Sequence, residues 1–178
     1  MLNADLKQQL KQLLELMEGD VEFIASLGSD DKSKELKELL DEIADMSARI
    51  TVTEKDLKRT PSFSVNRPGE ETGVTFAGIP LGHEFNSLVL AILQVSGRAP
   101  KEKQSVIDQI KGLEGPFHFE TFVSLTCQKC PDVVQALNLM SVINPNITHT
   151  MIDGAVFREE SENIMAVPAV FLDGQEFG

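Results

Sequence analysis

Both cysteines of the chain lie in one short segment, Cys127-Gln128-Lys129-Cys130, and two thiols at this spacing support three kinds of chemistry. They can bind a metal ion, form a structural disulfide, or exchange electrons with another disulfide. A zinc site needs two further protein ligands, or one plus water, and the three histidines lie on different predicted elements. A disulfide that closes so short a loop removes little entropy from the unfolded chain. Redox chemistry is therefore favoured over the other two, which stay open as alternatives.

The position of the pair favours the same chemistry. The run "FHFETFVSL" at 117–125 predicts a buried strand, and "CPDVVQALNLMSVI" at 130–143 predicts a helix with one apolar face. Cys127 then lies near the helix N-terminus, where unpaired N–H groups and the helix dipole favour a thiolate. Pro131 suits the first helical turn, because its missing N–H costs little there. Cys127 is the expected attacking thiol and Cys130 the resolving thiol.

The elements that must position this pair form a pattern that occurs twice. The two halves each read as strand, helix, strand and hairpin, and "VEFIASL" aligns with "FETFVSL". A right-handed crossover makes the first two strands of such a unit parallel, and its hairpin adds antiparallel strands. Helices are predicted at 3–17, 33–48, 85–95, 101–111 and 130–143, and strands at 21–27, 49–53, 117–125, 146–153 and 167–174, with a further hairpin around "NRPGEETG".

The layout of each half is that of a thioredoxin-like fold, which gives a proline in the second half a specific meaning. Val167-Pro168 precedes the strand expected opposite the dithiol, and the equivalent proline of thioredoxin-like proteins is cis. In those proteins, the residue before the proline offers backbone hydrogen bonds to the partner peptide. We therefore predict a cis bond here and assign partner contacts to Thr126, Val167 and Pro168.

The first half has "GSDDKSK" where the second has "TCQKC", so that Ser29 and Lys32 occupy the cysteine positions. Without a thiol, this half is predicted to be redox-silent and to support the second. We expect a first unit at 1–98, a connecting helix at 99–115, and a second unit at 116–178. The second unit lacks the final helix of the first, so we expect the chain to be part of a longer polypeptide.

Composition excludes several other functions. The chain carries 28 acidic and 16 basic side chains among 178 residues, for a formal charge of −12. Nucleic acids and anionic membranes attract basic proteins, so neither is expected as a partner. The charged N-terminus is unlike a signal peptide, and no segment approaches the roughly 20 apolar residues of a membrane helix. We therefore expect a cytoplasmic protein.

Three longer segments carry a more specific resemblance. With "LTCQKCPDVVQALNLMSVINPNITHTMIDG", "VPAVFLDGQEFG" and "FAGIPLGHEFNSLVLAIL", the chain closely resembles the N-terminal domain of the flavoprotein subunit of bacterial alkyl hydroperoxide reductase. The resemblance runs along the whole chain, including the half without cysteines. The archaeal glutaredoxin-like protein disulfide oxidoreductases are a second resemblance, although they often carry a dithiol in each half.

The first resemblance implies a fold, a role and a further residue. It implies two tandem thioredoxin-like units of the α/β class, whose parallel and antiparallel strands share one continuous sheet, with helices on both faces. It implies a dithiol–disulfide electron carrier that takes electrons from flavoprotein reductase domains of the same polypeptide and reduces a peroxiredoxin. It also points to Glu84, in "GHEF", as a carboxylate near the dithiol that could move protons. Glu84 could instead favour the N-terminus of the next helix.

The cofactors implied by this resemblance are not expected in the chain itself. FAD and NADH would bind the flavoprotein domains, because the chain has no Gly-X-Gly-X-X-Gly motif and is too short to hold them. No metal is expected either. A different class of function stays open, namely a docking module of thioredoxin fold whose cysteines take no part in electron transfer.

Overall fold

The protein is described by a computed structural model for residues 2–177, which fold around one eight-stranded mixed sheet. The helices are α1 (Ala4–Leu14), α2 (Asp31–Asp45), α3 (Phe85–Val95), α4 (Gln104–Lys111) and α5 (Cys130–Ile143), and a short 3-10 turn covers Gly82–Glu84. The strands are β1 (Val21–Ser26), β2 (Ile50–Glu54), β3 (Ser62–Arg67), β4 (Glu70–Ala77), β5 (Phe117–Val123), β6 (Ile147–Asp153), β7 (Ala169–Leu172) and β8 (Gln175–Glu176).

The sheet confirms the predicted fold class of two thioredoxin-like units that share one sheet. Its strand order is β2-β1-β3-β4-β6-β5-β7-β8, and each half has a parallel pair followed by an antiparallel hairpin. Parallel pairing of β4 with β6 joins the halves, with Val74 opposite His149 and Ala77 opposite Ile152. Cis bonds at Thr60-Pro61 and Val167-Pro168 stand at equivalent places in the two halves. The limits given above for the two units stay a prediction.

The helices differ from the expectation, because those in residues 2–177 pack on one face of the sheet rather than on both. Apolar residues of α1, α2, α3 and α5 form a single cluster with Phe23, Val65, Phe76 and Met151, whose side chains share one face. The physical reason lies in two connections. Residues 55–61 and 154–166 join strands through bends and turns, so they bring no helix to the second face.

The second face is polar and open over its centre. Ser62, Ser64, Thr75, Thr148 and Thr150 line a groove of about 680 Å³ there. Near the C-terminal ends of the parallel strands, apolar side chains cover this face. Phe157 and Ile164, from the 154–166 segment, pack there on Ala77, Phe122 and Ile152.

A buried polar trio lies under α5 on the helical face. His149 is fully buried, and its Nδ1 is 2.7 Å from Oδ1 of Asn138 while its Nε2 is 2.8 Å from Oγ1 of Thr121. Because the amide oxygen can only accept, Nδ1 carries the proton and the threonine hydroxyl donates to Nε2. Burial lowers the pKa of His149 to about 3 from its ordinary value of 6.5. The imidazole is therefore neutral in the folded protein.

We expect His149 to make the free energy of unfolding decrease in acid. The unfolded state takes up a proton near pH 6.5, but the folded state resists it to about pH 3. The contribution of His149 to the free energy of unfolding is thus complete above pH 6.5. As pH falls from there towards 3, that free energy decreases by roughly 1.4 kcal/mol for each pH unit. Urea unfolding of the parent chain and of His149→Gln between pH 7 and pH 4 should show a steeper loss in the parent.

The matched control is His118→Gln, since His118 is exposed. Burial raises the pKa of both Glu84 and Asp153, which would favour the folded state in acid, but all three proteins keep these carboxyls. Equal slopes for His149→Gln and the parent chain would contradict the assignment.

Candidate functional site

The dithiol lies where β5 passes into α5, as the sequence predicts. Cys127 and Cys130 form a disulfide, and the backbone N–H of Cys130 points at Sγ of Cys127 at 3.2 Å. Cys127 is partly exposed, whereas Cys130 is fully buried in the large apolar cluster. A partner can therefore reach the first sulfur but not the second. This asymmetry agrees with an attacking role for Cys127 and a resolving role for Cys130, and both roles remain a prediction.

The Val167-Pro168 bond is cis, and the structure brings it to the dithiol. The carbonyl oxygen of Val167 lies 3.9 Å from Sγ of Cys127. Val167 is 36% exposed, so it adds apolar surface beside the accessible sulfur, and Met165, two residues earlier in the chain, is 96% exposed. An extended peptide could pair with the backbone of Val167 while its own disulfide meets Cys127.

Thr126 is exposed directly before Cys127, and its Oγ1 lies 3.0 Å from Oγ of Ser124. The backbone N–H of Cys127 donates to the carbonyl of Ser124 at 3.0 Å, which closes a tight turn before the helix. The structure thus gathers Thr126, Val167 and the accessible sulfur at one surface. The partner contacts assigned to them remain a prediction.

Glu84, from the half without cysteines, is fully buried beside α5. Its Oε1 accepts a hydrogen bond from Oγ of Ser87 at 2.7 Å. The same hydroxyl oxygen accepts a hydrogen bond from Nε2 of Gln135 at 3.2 Å. Oε2 of Glu84 is buried without a hydrogen-bond partner among residues 2–177. Burial raises the pKa of Glu84, and the Ser87 hydrogen bond only partly opposes this. Glu84 is thus a carboxyl poised to hold a proton, linked through Ser87 to the helix that begins at Cys130.

A close backbone contact holds the Glu84 turn against the dithiol loop. The N–H of His83 donates to the carbonyl of Leu125 at 2.9 Å, and the side chain of His83 is exposed. Gly82 has φ +56°, and a Cβ there would lie 2.8 Å from the Leu125 oxygen. Only glycine fits both the left-handed conformation and the contact. The turn after β4 and the loop after β5 therefore form one packed unit.

Sequence reasoning missed Asp153, a second buried carboxyl at this edge of the sheet. It ends β6 opposite Val123, is 4% exposed, and accepts a hydrogen bond from the N–H of Ala155 at 3.0 Å. Burial raises its pKa, whereas that hydrogen bond and the charge of Lys32 lower it. A Cβ on Gly78 would lie 2.9 Å from Cβ of Asp153. The signal was "IDG", an acidic residue between a buried strand and a glycine.

The equivalent place in the first half holds no thiol. Ser33 donates its hydroxyl to Oδ1 of Asp30 at 2.6 Å and accepts the N–H of Gly28 at 2.9 Å. Ser29 is exposed, and Lys32 pairs with Glu35 at 3.2 Å. This half ends its strand with a hydrogen-bonded turn, and both cysteines of the sequence lie in the other half.

Two features are absent from residues 2–177. No group of three or more His, Cys, Asp and Glu side chains is placed there where it could hold a metal ion. Within the same residues, no helix has the length and apolar character needed to cross a membrane.

Comparison with known proteins agrees with the geometry. A family model described as "Thioredoxin domain" matches residues 118–177. The alkyl hydroperoxide reductase protein AhpF of Staphylococcus epidermidis is 94% identical over all 178 residues, which make up 35% of that protein. The chain therefore spans about a third of the length of such relatives.

Two solved structures are also similar. The NTD_N/C domain of the alkyl hydroperoxide reductase AhpF from Enterococcus faecalis matches with a TM-score of 0.92 and 34% identity, covering 100% of this chain and 94% of that one. A protein disulfide oxidoreductase from Aeropyrum pernix matches with a TM-score of 0.83 and 20% identity, over 98% and 85% of the two chains. The second match shows a shared fold alone.

The unequal burial of the two sulfurs makes a chemical prediction. After reduction, a brief pulse of iodoacetamide should alkylate Cys127 at least about ten times faster than Cys130, because the attacked sulfur must be accessible. Peptide mass spectrometry of the quenched protein measures the two sites separately. The same pulse in denaturant is the control and should label both cysteines. Comparable labelling of Cys130 in the folded protein would contradict the assigned roles.

Proposed function

Because this chain belongs to the family of N-terminal domains of the alkyl hydroperoxide reductase AhpF, we propose that it carries electrons to a peroxiredoxin through Cys127 and Cys130. The donor is a flavin- and NADH-dependent disulfide reductase, in the part of the relatives that this chain does not span. The acceptor is the disulfide of a peroxiredoxin that reduces alkyl hydroperoxides. The setting is the cytoplasm, where NADH is available.

One observation carries this proposal, namely an accessible sulfur with a buried sulfur directly behind it. The Cys127 thiolate attacks the partner disulfide, forms a mixed disulfide and releases one partner thiolate. Cys130 then gives up its proton and attacks Sγ of Cys127, which restores the internal disulfide and releases the second partner thiolate. Two electrons and the proton of Cys130 leave the dithiol, and the second partner thiolate takes any further proton from water. The reductase later returns two electrons to the disulfide, and one proton from water restores the Cys130 thiol.

The Val167 backbone orients the partner peptide for the attack of Cys127 on its disulfide. Its carbonyl lies 3.9 Å from Sγ of Cys127, so a peptide strand paired with Val167 runs past the accessible sulfur. Thr126, Val167 and Pro168 form the contact surface of this strand. Orientation of this kind removes part of the entropy cost of bringing two reacting sulfurs into line.

Glu84 handles the proton of the buried thiol. Cys130 must lose its proton inside an apolar cluster, where water is excluded. Glu84 is buried against the same helix, has an unpartnered oxygen, and keeps a raised pKa because of its burial. A carboxyl of this kind exchanges protons near neutral pH more readily than an exposed glutamate.

Replacing Cys127 by serine should abolish electron transfer. The test is single-turnover reduction of an oxidised peroxiredoxin by the pre-reduced chain, followed by thiol labelling of the acceptor. Cys130→Ser should instead stop at a mixed disulfide, which is visible on a non-reducing gel. Transfer retained by Cys127→Ser would refute the carrier, and inert thiols in a redox-buffer titration would favour a docking module.

Replacing Glu84 by glutamine should change how the transfer rate depends on pH. Glutamine keeps the contact with Ser87 but cannot exchange a proton, so we expect a loss of about 10- to 100-fold at neutral pH. The loss should shrink as pH rises, since a higher pH favours the thiolate of Cys130 without help from a carboxyl. Stopped-flow measurements between pH 6 and pH 9 test this. Glu35→Gln is the control, because the Glu35 side chain on α2 is 45% exposed. A pH profile of unchanged shape for Glu84→Gln would leave Glu84 with a packing role.

A further inference from the structure

The segment that delivers Val167 to the dithiol has no regular secondary structure. Residues 154–166 run through successive turns before the cis bond. The N–H of Ile164 donates to the carbonyl of Ser161 at 2.9 Å, and the hydroxyl of Ser161 donates to the carbonyl of Gly154 at 3.0 Å. These contacts are internal to the segment. The ends of the segment are held by the N–H of Gly154, which donates to the carbonyl of Val123 at 3.1 Å, and by the pairing of Ala169 with Phe122. Between these ends, the position of the segment depends on the side chains that it contacts.

Part of that support is apolar. Phe157 and Ile164 pack on Ala77, Phe122 and Ile152 on the otherwise polar face. Both side chains are only partly buried. Contacts of this kind are non-directional, so they hold the segment on the sheet without fixing its orientation.

A directional contact comes from Arg59, which belongs to the connection between β2 and β3 of the other half. Its Nε lies 2.9 Å and 3.1 Å from the two carboxylate oxygens of Glu160, and its Nη2 lies 2.8 Å from Oε1 of Glu160. The same Nη2 lies 2.8 Å from Oε2 of Glu120 on β5. The guanidinium thus joins the irregular segment to a rigid strand of the sheet.

The Arg59 guanidinium is buried between its two carboxylate partners, so its geometry restricts where Glu160 can lie. The side chain of Arg59 is 8% exposed, against 26% for Glu120 and 40% for Glu160. Hydrogen bonds from Arg59 hold the pKa of Glu160 below its ordinary value. A planar guanidinium that meets a carboxylate through two N–H groups restricts distance and angle together, which a lysine cannot do.

We propose that Arg59 is a positioning residue for the redox site: through Glu160 it fixes the 154–166 segment so that the Val167 backbone lies in register with Cys127. The guanidinium of Arg59 forms its hydrogen bonds with Glu120 and Glu160 rather than with the dithiol. The half without cysteines therefore sets how well a peptide disulfide is presented to the attacking sulfur. This inference rests on the proposed carrier function.

The test compares two acceptors of the reduced 178-residue chain. A disulfide-linked dimer of a short peptide with a central cysteine needs the Val167 backbone, whereas dithiobis(nitrobenzoic acid) needs only an accessible thiolate. Arg59→Gln should lower the second-order rate for the peptide disulfide about 10-fold and change the rate for the small reagent less than about twofold. Arg59→Lys should not restore the peptide rate.

Three further variants make the result specific. Glu160→Gln should reproduce the defect, and the double variant Arg59→Gln/Glu160→Gln should be no slower than either single one, because both act through one contact. Arg67→Gln is the matched control, since Arg67 forms an exposed pair with Glu70 away from the dithiol. It should behave like the parent chain.

Hydrogen exchange of the 154–167 amides provides a readout that needs no acceptor. The exchange rate of these amides should rise at least about threefold in Arg59→Gln and Glu160→Gln, but not in Arg67→Gln. Unchanged exchange, or equal loss of rate with both acceptors, would overturn the positioning role. If Arg59→Gln does not fold, Glu160→Gln decides the question by the same measures. A parent dithiol that reduces neither acceptor would refute the carrier function instead.

Discussion

The parallel pairing of β4 with β6 is the contact on which the rest of the site depends. It aligns Ala77 with Ile152, so the strands of the two halves end at the same edge of one sheet. The turn after β4 then meets the loop after β5, where the N–H of His83 binds the carbonyl of Leu125. A shift of one residue in this register would turn the side chains of one half to the opposite face. Glu84 could not then lie buried beside the helix of the dithiol.

Both halves supply residues to one redox site. The second half supplies both sulfurs and the cis peptide bond, while the first supplies the Glu84 turn and the Arg59 side chain. In the first half Ser29 and Lys32 occupy the cysteine positions, and the neighbouring Asp30 and Ser33 close the turn after the strand through hydrogen bonds. The half without thiols thus contributes to the site through the contacts of Glu84 and Arg59.

Much of this arrangement follows from the sequence, because hydrophobic period and turn residues are local signals. The limits predicted for α5 are those observed, and the alternation of β1 and β6 identifies their buried face. The helices were misplaced because helix periodicity does not say which face of a sheet a helix will cover. The alternating Ser62, Ser64, Thr148 and Thr150 did carry that information, since a covered face would be apolar. Arg59 escaped notice because its partners Glu120 and Glu160 are 61 and 101 residues away in the chain. Asp153 carries only the short local signal "IDG", and the packing against Gly78 that encloses it comes from the other half.

The burial of Cys130 also bears on survival in an oxidising environment. A peroxide that reaches this site meets Cys127 first and converts its thiolate to a sulfenic acid. The sulfur of Cys130 lies directly behind, so it can condense with the sulfenic acid and release water before a second peroxide arrives. The product is the same disulfide that forms in each normal cycle. Accidental oxidation thus returns the domain to a reducible state, and irreversible sulfinic acid is avoided.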